Sequence, residues 1–140
     1  MDLCRALASQ GNVKKAVTVA KAIRERFDGK KRNPYNEFEC GNNYVRSMAS
    51  YAMLPALSGF TYDRNEGLLG FDPKLPAPFH SFWALGDLWG TYFQDDTKAV
   101  LTLLHGSFTL KQLKLNKKAD LKKLPVTLQE GDILEIPFAE

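Results

Sequence analysis

The spacing of hydrophobic residues divides this chain of 140 residues into a helical first part and a strand-rich second part. Over residues 13–27, apolar side chains recur every three or four positions, with lysine, arginine and glutamate between them. That period predicts an amphipathic helix with one buried face, which should end at Asp28-Gly29. A basic loop at residues 30–32 then leads away from it.

A second helix is predicted over residues 41–59, and its pattern is different. Beyond its first turns it has apolar residues on every side, and Arg46 is its one charge. A helix that is apolar all round is expected to be buried against other elements. Ser58-Gly59 suits a helix C-terminus, and Pro55 should kink the last turn because it cannot donate a backbone hydrogen bond.

After Gly59 the hydrophobic period changes to two, with turn residues between the short runs. The alternation slips near Lys111-Gln112, which indicates a β-bulge. Two final strands are predicted to form a pair joined at residues 130–132. The predicted strands cover residues 68–71, 79–83, 88–93, 99–104, 106–115, 125–128 and 133–136. The pattern therefore predicts an α+β chain, with a helical segment at residues 1–60 and an antiparallel β-rich segment at residues 61–140.

Composition is that of an ordinary globular protein, with 44% hydrophobic and 25% charged residues and a net charge of +3. Much of the positive excess lies in six lysines within residues 111–123, which we interpret as a solvated strand face and loop, so no nucleic-acid partner is expected. Cys4 and Cys40 are interpreted as two buried thiols, with a disulfide between them as the alternative. No histidine or cysteine spacing suggests zinc, and neither a metal nor another cofactor is predicted.

The N-terminus lacks a basic segment followed by a long apolar run, so no secretory signal is predicted. No apolar stretch approaches the length of a membrane span. A complete chain of this kind would be cytoplasmic, whereas any signal of a longer protein would belong to its missing part. The compartment therefore stays open.

Residues 32–46 form the stretch with most chemical information, a polar loop that feeds the N-terminus of the second helix. Glu37 and Glu39 suit this position because a helix N-terminus carries unpaired N–H groups and partial positive charge. A buried arginine such as Arg46 needs a carboxylate or a polar ligand. Two readings stay open from the residues alone: an ion pair between Arg46 and one of the glutamates, or a bound polyol.

Two strings in this region, NPYNEFECGNNYVRSMASY at residues 33–51 and ALSGF at residues 56–60, closely resemble the C-terminal part of glycoside hydrolase family 116. This family contains bile-acid β-glucosidase, also called non-lysosomal glucosylceramidase, and bacterial β-glucosidases. The resemblance spans about residues 13–94 and is strongest over residues 32–60. It differs at Asn43, where many members have histidine, and at Pro55, which interrupts a helix that usually continues.

The resemblance implies that the two predicted helices are the last pair of an (α/α)6 catalytic domain, and that the whole enzyme hydrolyses β-glucosides with retention. It also implies that Glu37 and Arg46 line a glucose subsite and hold sugar hydroxyl groups. The family's nucleophilic glutamate and acid/base aspartate lie upstream of this motif and have no match here. Because retaining hydrolysis needs two carboxyl groups about 5 Å apart, we expect a C-terminal fragment that is not catalytic alone.

Two alternatives remain: a non-catalytic carbohydrate-binding module, and a structural piece that completes a separate catalytic chain. The expected ligand is glucose or a β-glucoside, and the apolar second helix favours self-association or a complementary chain. Aromatic residues at 79–93 can form either sheet core or a sugar-stacking platform. His80 is expected at the surface and His105 in a turn.

Overall fold

The computed structural model describes residues 2–33, 51–117, 119, 121 and 124–139, and it divides the chain into two compact units, Met1–Leu57 and Ser58–Glu140. In the first unit, helix α1 (Asp2–Ser9) packs against helix α2 (Val13–Arg24). Their fully buried residues are small, which allows the two helices to approach closely: Cys4, Ala8 and Ala16. Helix α2 begins where the hydrophobic period predicted, whereas α1 had not been predicted.

A third helix, α3 (Met53–Ser58), is the described end of the long helix predicted over residues 41–59. Pro55 lies in the first turn of α3, where its missing N–H costs little, and the helix is interrupted at Ala52, close to the kink predicted from Pro55. Cys40 and the rest of the predicted helix, up to residue 50, lie outside the described residues. None of the helices in the described part of the chain is long and apolar enough to cross a membrane.

Over its described residues, the second unit contains nine strands in three sheets. One sheet has the order β1-β2-β7, the largest has the order β3-β4-β5-β9, and β6 pairs with β8. Every pair is antiparallel except β2 and β7, which run parallel. The strands are β1 (Thr61–Asp63), β2 (Leu68–Phe71), β3 (Phe79–Leu85), β4 (Leu88–Gln94), β5 (Lys98–His105), β6 (Phe108–Leu110), β7 (Gln112–Leu115), β8 (Val126–Leu128) and β9 (Ile133–Pro137).

The inward residues of all three sheets form one hydrophobic core within the second unit. Alternation along each strand supplies this core, since every second side chain points to the same face. Phe71 of β2 and Tyr92 of β4 stack across it, with ring centroids 3.8 Å apart and ring planes only 3° from parallel. The core therefore joins the parallel pair to the four-stranded sheet.

The fold class expected from the sequence is wrong. Strand residues outnumber helical ones over the described residues, whose three helices are short and do not form the last pair of an (α/α)6 barrel. Aromatic and branched residues alternate along most of residues 61–137, and burying them on one face of strands makes the chain mostly β. The β unit is also not purely antiparallel, because β2 and β7 run in the same direction.

Strand pairing departs from the prediction at two further points. The single strand predicted over residues 106–115 is two strands, β6 and β7, which separate at Lys111 and enter different sheets. The backbone N–H groups of Lys111 and Gln112 both donate to the carbonyl of Gly67, at 2.9 and 3.2 Å, so two residues oppose one where the bulge was predicted. The two final strands do not pair with each other, since β8 pairs with β6 and β9 with β5.

Candidate functional site

The two residues predicted to hold sugar hydroxyl groups, Glu37 and Arg46, lie outside the described residues, as do Glu39 and Asn43. The structure describes the chain on both sides of them. On the N-terminal side, Asp28 Oδ1 accepts hydrogen bonds from two backbone N–H groups of the basic loop, at 3.0 and 2.8 Å. These bonds favour the carboxylate and lower the pKa of Asp28, so the turn that enters the predicted site is held by its own aspartate.

On the C-terminal side, the family-like string ends at Ser58, Gly59 and Phe60, which begin the second unit. Gly59 has a φ of +61°, and a Cβ atom there would lie 2.3 Å from the carbonyl oxygen of Asp72. Only glycine fits this close approach. The backbone N–H of Asp72 donates to the Ser58 carbonyl beside it, with nitrogen and oxygen 3.0 Å apart. The end of the string is therefore fixed directly to the residue that follows β2.

An open cleft of about 410 Å³ lies beside this contact. Strands β2 and β7 are parallel, so their carboxyl ends meet at one edge, and the next residues, Asp72 and Asn116, both lie there. The cleft combines apolar walls with groups that can donate or accept hydrogen bonds. Its lining residues are Gly59, Thr61, Phe71, Asp72, Lys114, Leu115 and Asn116.

One row across the sheet explains why this cleft is open. Thr61 of β1, Gly70 of β2 and Lys114 of β7 are neighbours in register. A Cβ atom on Gly70 would come within 2.2 Å of Thr61 Oγ1, so the missing side chain makes room for that hydroxyl group. A hydroxyl, an ammonium and an amide group thus line the cleft and can form hydrogen bonds with a polar ligand.

The described residues that line the cleft include no pair of carboxylates suited to glycoside hydrolysis. Asp72 is the one carboxylate among the described residues that line it, and it forms an ion pair with Lys74. Retaining hydrolysis requires two such groups about 5 Å apart, and the described lining residues supply only one. Within the described residues, no cluster of three or more histidine, cysteine, aspartate or glutamate side chains is arranged to hold a metal ion.

The aromatic stretch at residues 79–93 contributes both to the core and to the surface. Phe79, Trp83 and Tyr92 point inward and are buried, whereas Phe82 and Trp89 point outward with 52% and 43% of their surface exposed. Sequence reasoning offered core and platform as alternatives for the whole stretch. Because successive side chains of a strand point to opposite faces, the positions of these aromatic residues along each strand could have separated the buried ones from the exposed ones.

Two histidines and one lysine were also assigned from the sequence, and the structure describes all three. His80 is exposed, as expected, although it lies in β3 and contacts the edge of Phe93. His105 is the last residue of β5 and stacks on Trp89, which sequence reasoning missed by placing it in a turn. Lys117, which was assigned to a solvated face, forms an ion pair of 2.8 Å with Asp96.

A comparison of the sequence with models of known protein families and with curated proteins finds no match.

Proposed function

We propose that this chain is a non-catalytic, carbohydrate-recognising part of a β-glucosidase-like glycoside hydrolase, in which Glu37 and Arg46 hold hydroxyl groups of a glucose residue. The observation that carries the proposal is the long string at residues 33–51 and 56–60, which resembles glycoside hydrolase family 116. Its chemistry suits a sugar, because hydrogen bonds between charged side chains and hydroxyl groups are stronger and more directional than those of neutral groups.

The described part of the chain supports recognition in preference to hydrolysis. The string ends against a cleft that offers a hydroxyl group at Thr61, an amide at Asn116 and an ammonium at Lys114. A polyol can both donate to and accept from such groups. The cleft's carboxylate, Asp72, is engaged with Lys74 and has no second carboxylate beside it among the described lining residues.

Titration of glucose into the full chain, followed by calorimetry, tests the proposal. We expect a dissociation constant on the order of millimolar, because a single small sugar makes few contacts. Glu37→Gln removes the charge and Arg46→Lys removes the planar fork, and each should weaken binding about tenfold. The matched control is Glu66→Gln, which alters an exposed carboxylate at the β1–β2 turn and should leave the affinity unchanged.

Hydrolysis of nitrophenyl β-glucoside should be absent from the same samples. Turnover above background that disappears in Glu37→Gln would show that a catalytic carboxylate is present. Glucose affinity that is equal in the unchanged chain and both variants would remove Glu37 and Arg46 from the site.

A second candidate function is structural, in which the chain associates with another chain and completes it. The first unit favours it, because its small described part exposes three large apolar side chains: Leu3 at 61%, Val17 at 44% and Tyr51 at 59%. Such side chains often mark contacts with another protein when they lie together. Light scattering over a range of concentrations distinguishes the two, since this candidate requires assembly and glucose recognition does not.

A further inference from the structure

The outward face of the four-stranded sheet is unusually apolar for a surface. A sheet with one face on the core normally presents polar side chains on the other. Here Phe82, Trp89 and Ile133 point outward from β3, β4 and β9, with 52%, 43% and 67% of their surfaces exposed. We call this surface the outer face; all of it belongs to the second unit.

A β-bulge in β5 reshapes the outer face beside Trp89. Trp89 pairs with His105 while its neighbour Gly90 pairs with Leu103, so Leu104 is an extra residue without an opposite partner. Leu101 and Leu103 point into the core, and strict alternation would send His105 there as well. The bulge turns the imidazole outward instead. Bulges are used to redirect side chains in this way, often near functional sites.

The redirected imidazole holds one face of the Trp89 indole. The two ring centroids are 4.1 Å apart and the ring planes are 21° from parallel. On β3, the residue opposite Trp89 is Ala84, which carries only a methyl group. His105 therefore supports the indole from one side, and Trp89 keeps 43% of its surface exposed beside this small neighbour.

His105 is itself fixed by a carboxylate. Its Nδ1 lies 2.9 Å from Glu130 Oε2, so an Nδ1–H donates to the carboxylate, and Nε2 lies on the opposite edge of the ring. The turn that carries Glu130 is tied to β5, because Gly131 N–H donates to the Leu103 carbonyl at 2.8 Å and Leu103 N–H donates to the Asp132 carbonyl at 3.0 Å. Indole, imidazole and carboxylate are consequently positioned before any ligand arrives.

We propose that Trp89 is the stacking platform of a carbohydrate-binding site on the outer face, which takes a β-linked glucosyl unit of an oligosaccharide. A β-glucosyl ring has equatorial substituents, so its flat C–H face is apolar and its rim is polar. That face stacks on the indole, whose large apolar surface and polar edge suit a ligand of mixed character. At the rim, ring hydroxyl groups donate to His105 Nε2 and to the Glu130 carboxylate.

The register across the sheet favours a carbohydrate over a protein partner. In the row beside Trp89, two threonine hydroxyl groups separate the apolar side chains, in the order Phe82, Thr91, Thr102 and Ile133. A protein interface core is a contiguous apolar surface with few polar groups. Interleaved aromatic and hydroxyl groups match a sugar chain, which alternates C–H faces and hydroxyl groups. The choice of glucose as the sugar rests on the proposed function, whereas the stacking geometry does not.

The test uses cellotetraose, a β-1,4-linked glucose tetramer, added to the full chain. The chain has two tryptophans, the buried Trp83 and the exposed Trp89, so acrylamide quenching of fluorescence reports mainly on Trp89. Cellotetraose should protect Trp89 from quenching, and calorimetry should show that Trp89→Ala weakens binding by at least about tenfold. Trp89→Phe keeps an aromatic face and should weaken cellotetraose binding less than Trp89→Ala does. The control is Leu75→Ala, which removes an exposed apolar side chain outside the sheets and should bind normally.

His105→Ala provides a second readout that does not depend on losing the platform. It should weaken cellotetraose binding less than Trp89→Ala does, and it should increase the quenching of Trp89 without ligand because one indole face becomes uncovered. Equal affinity in Trp89→Ala and the unchanged chain would overturn the proposal. A light-scattering dimer that dissociates in Trp89→Ala and ignores cellotetraose would also overturn it, because the outer face would then be a protein contact.

The two proposals fail separately. Glu37→Gln should leave the protection of Trp89 by cellotetraose intact, whereas Trp89→Ala should leave the affinity for free glucose at the predicted subsite intact. Loss of glucose binding alone would therefore reject the proposed function and keep the outer-face site. Loss of Trp89 protection alone would reject the outer-face site and keep the proposed function.

Discussion

At the scale of single residues, the core of the β unit includes one polar pair whose two groups depend on each other. Tyr92 and Gln94 both point inward from β4 and are 1% and 3% exposed. The Tyr92 hydroxyl donates to Gln94 Oε1 at 2.6 Å. Burial raises the pKa of the Tyr92 hydroxyl, which favours the protonated form that donates this hydrogen bond.

Tyr92→Phe should lower the free energy of unfolding by about 1–2 kcal/mol, because it leaves the buried oxygen of Gln94 without its donor. Urea unfolding followed by circular dichroism measures this change. The matched control is Tyr62→Phe, which changes a half-buried tyrosine at the edge of the same core. It should lower the free energy of unfolding by less. A Tyr92→Phe protein as stable as the unchanged chain would show that the hydroxyl pair contributes nothing.

At the scale of elements, the bulge of β5 depends on a glycine in the neighbouring strand. A Cβ atom on Gly90 would lie 2.0 Å from the Thr102 carbonyl oxygen and 2.9 Å from the Trp83 ring. Neither a backbone carbonyl nor a buried indole can move away easily. Gly90 therefore allows β4 and β5 to approach closely beside the Trp89–His105 stack.

Gly90→Ala should destabilise the β unit by about 2 kcal/mol or more, because it overpacks a contact that cannot relax. Gly70→Ala is the paired comparison: its Cβ would first meet the Thr61 hydroxyl, which can rotate away, and a carbonyl only at 3.1 Å. Thermal unfolding should therefore show a smaller loss for Gly70→Ala. The same loss in both variants would mean that the approach at Gly90 is not the tighter one.

Alternation along the chain was sufficient to predict most strands but not their partners. The bounds of β2 agree with the prediction, and those of β3, β4, β5 and β9 fall within two residues of it. The parallel pairing of β2 with β7 and the bulge at Leu104 could not be predicted in this way. Both depend on which strand lies alongside, and local periodicity specifies only which side chains share a face.

At the scale of the whole molecule, the change of hydrophobic period near residue 60 lies close to the division between the two compact units. The fold class was wrong because the family resemblance in residues 32–60 implied a pair of barrel helices, whereas the helices of the described residues are short and strands predominate. The 83 residues of the second unit form the predicted β structure, with its own core, but one of its strand pairs is parallel. The outer-face cluster was hidden from sequence reasoning because Trp89, His105 and Glu130 come together only through the bulge and the turn before β9.

We propose that this chain recognises β-glucosyl sugars without hydrolysing them. The most direct single measurement is nuclear magnetic resonance of the isotope-labelled full chain during titration with cellotetraose, with the signals of both tryptophan indoles assigned. We expect saturable shifts of the Trp89 indole N–H and of backbone amides around Glu37 and Arg46, with the buried Trp83 unaffected and no glucose released. A spectrum that does not change at millimolar cellotetraose would contradict it.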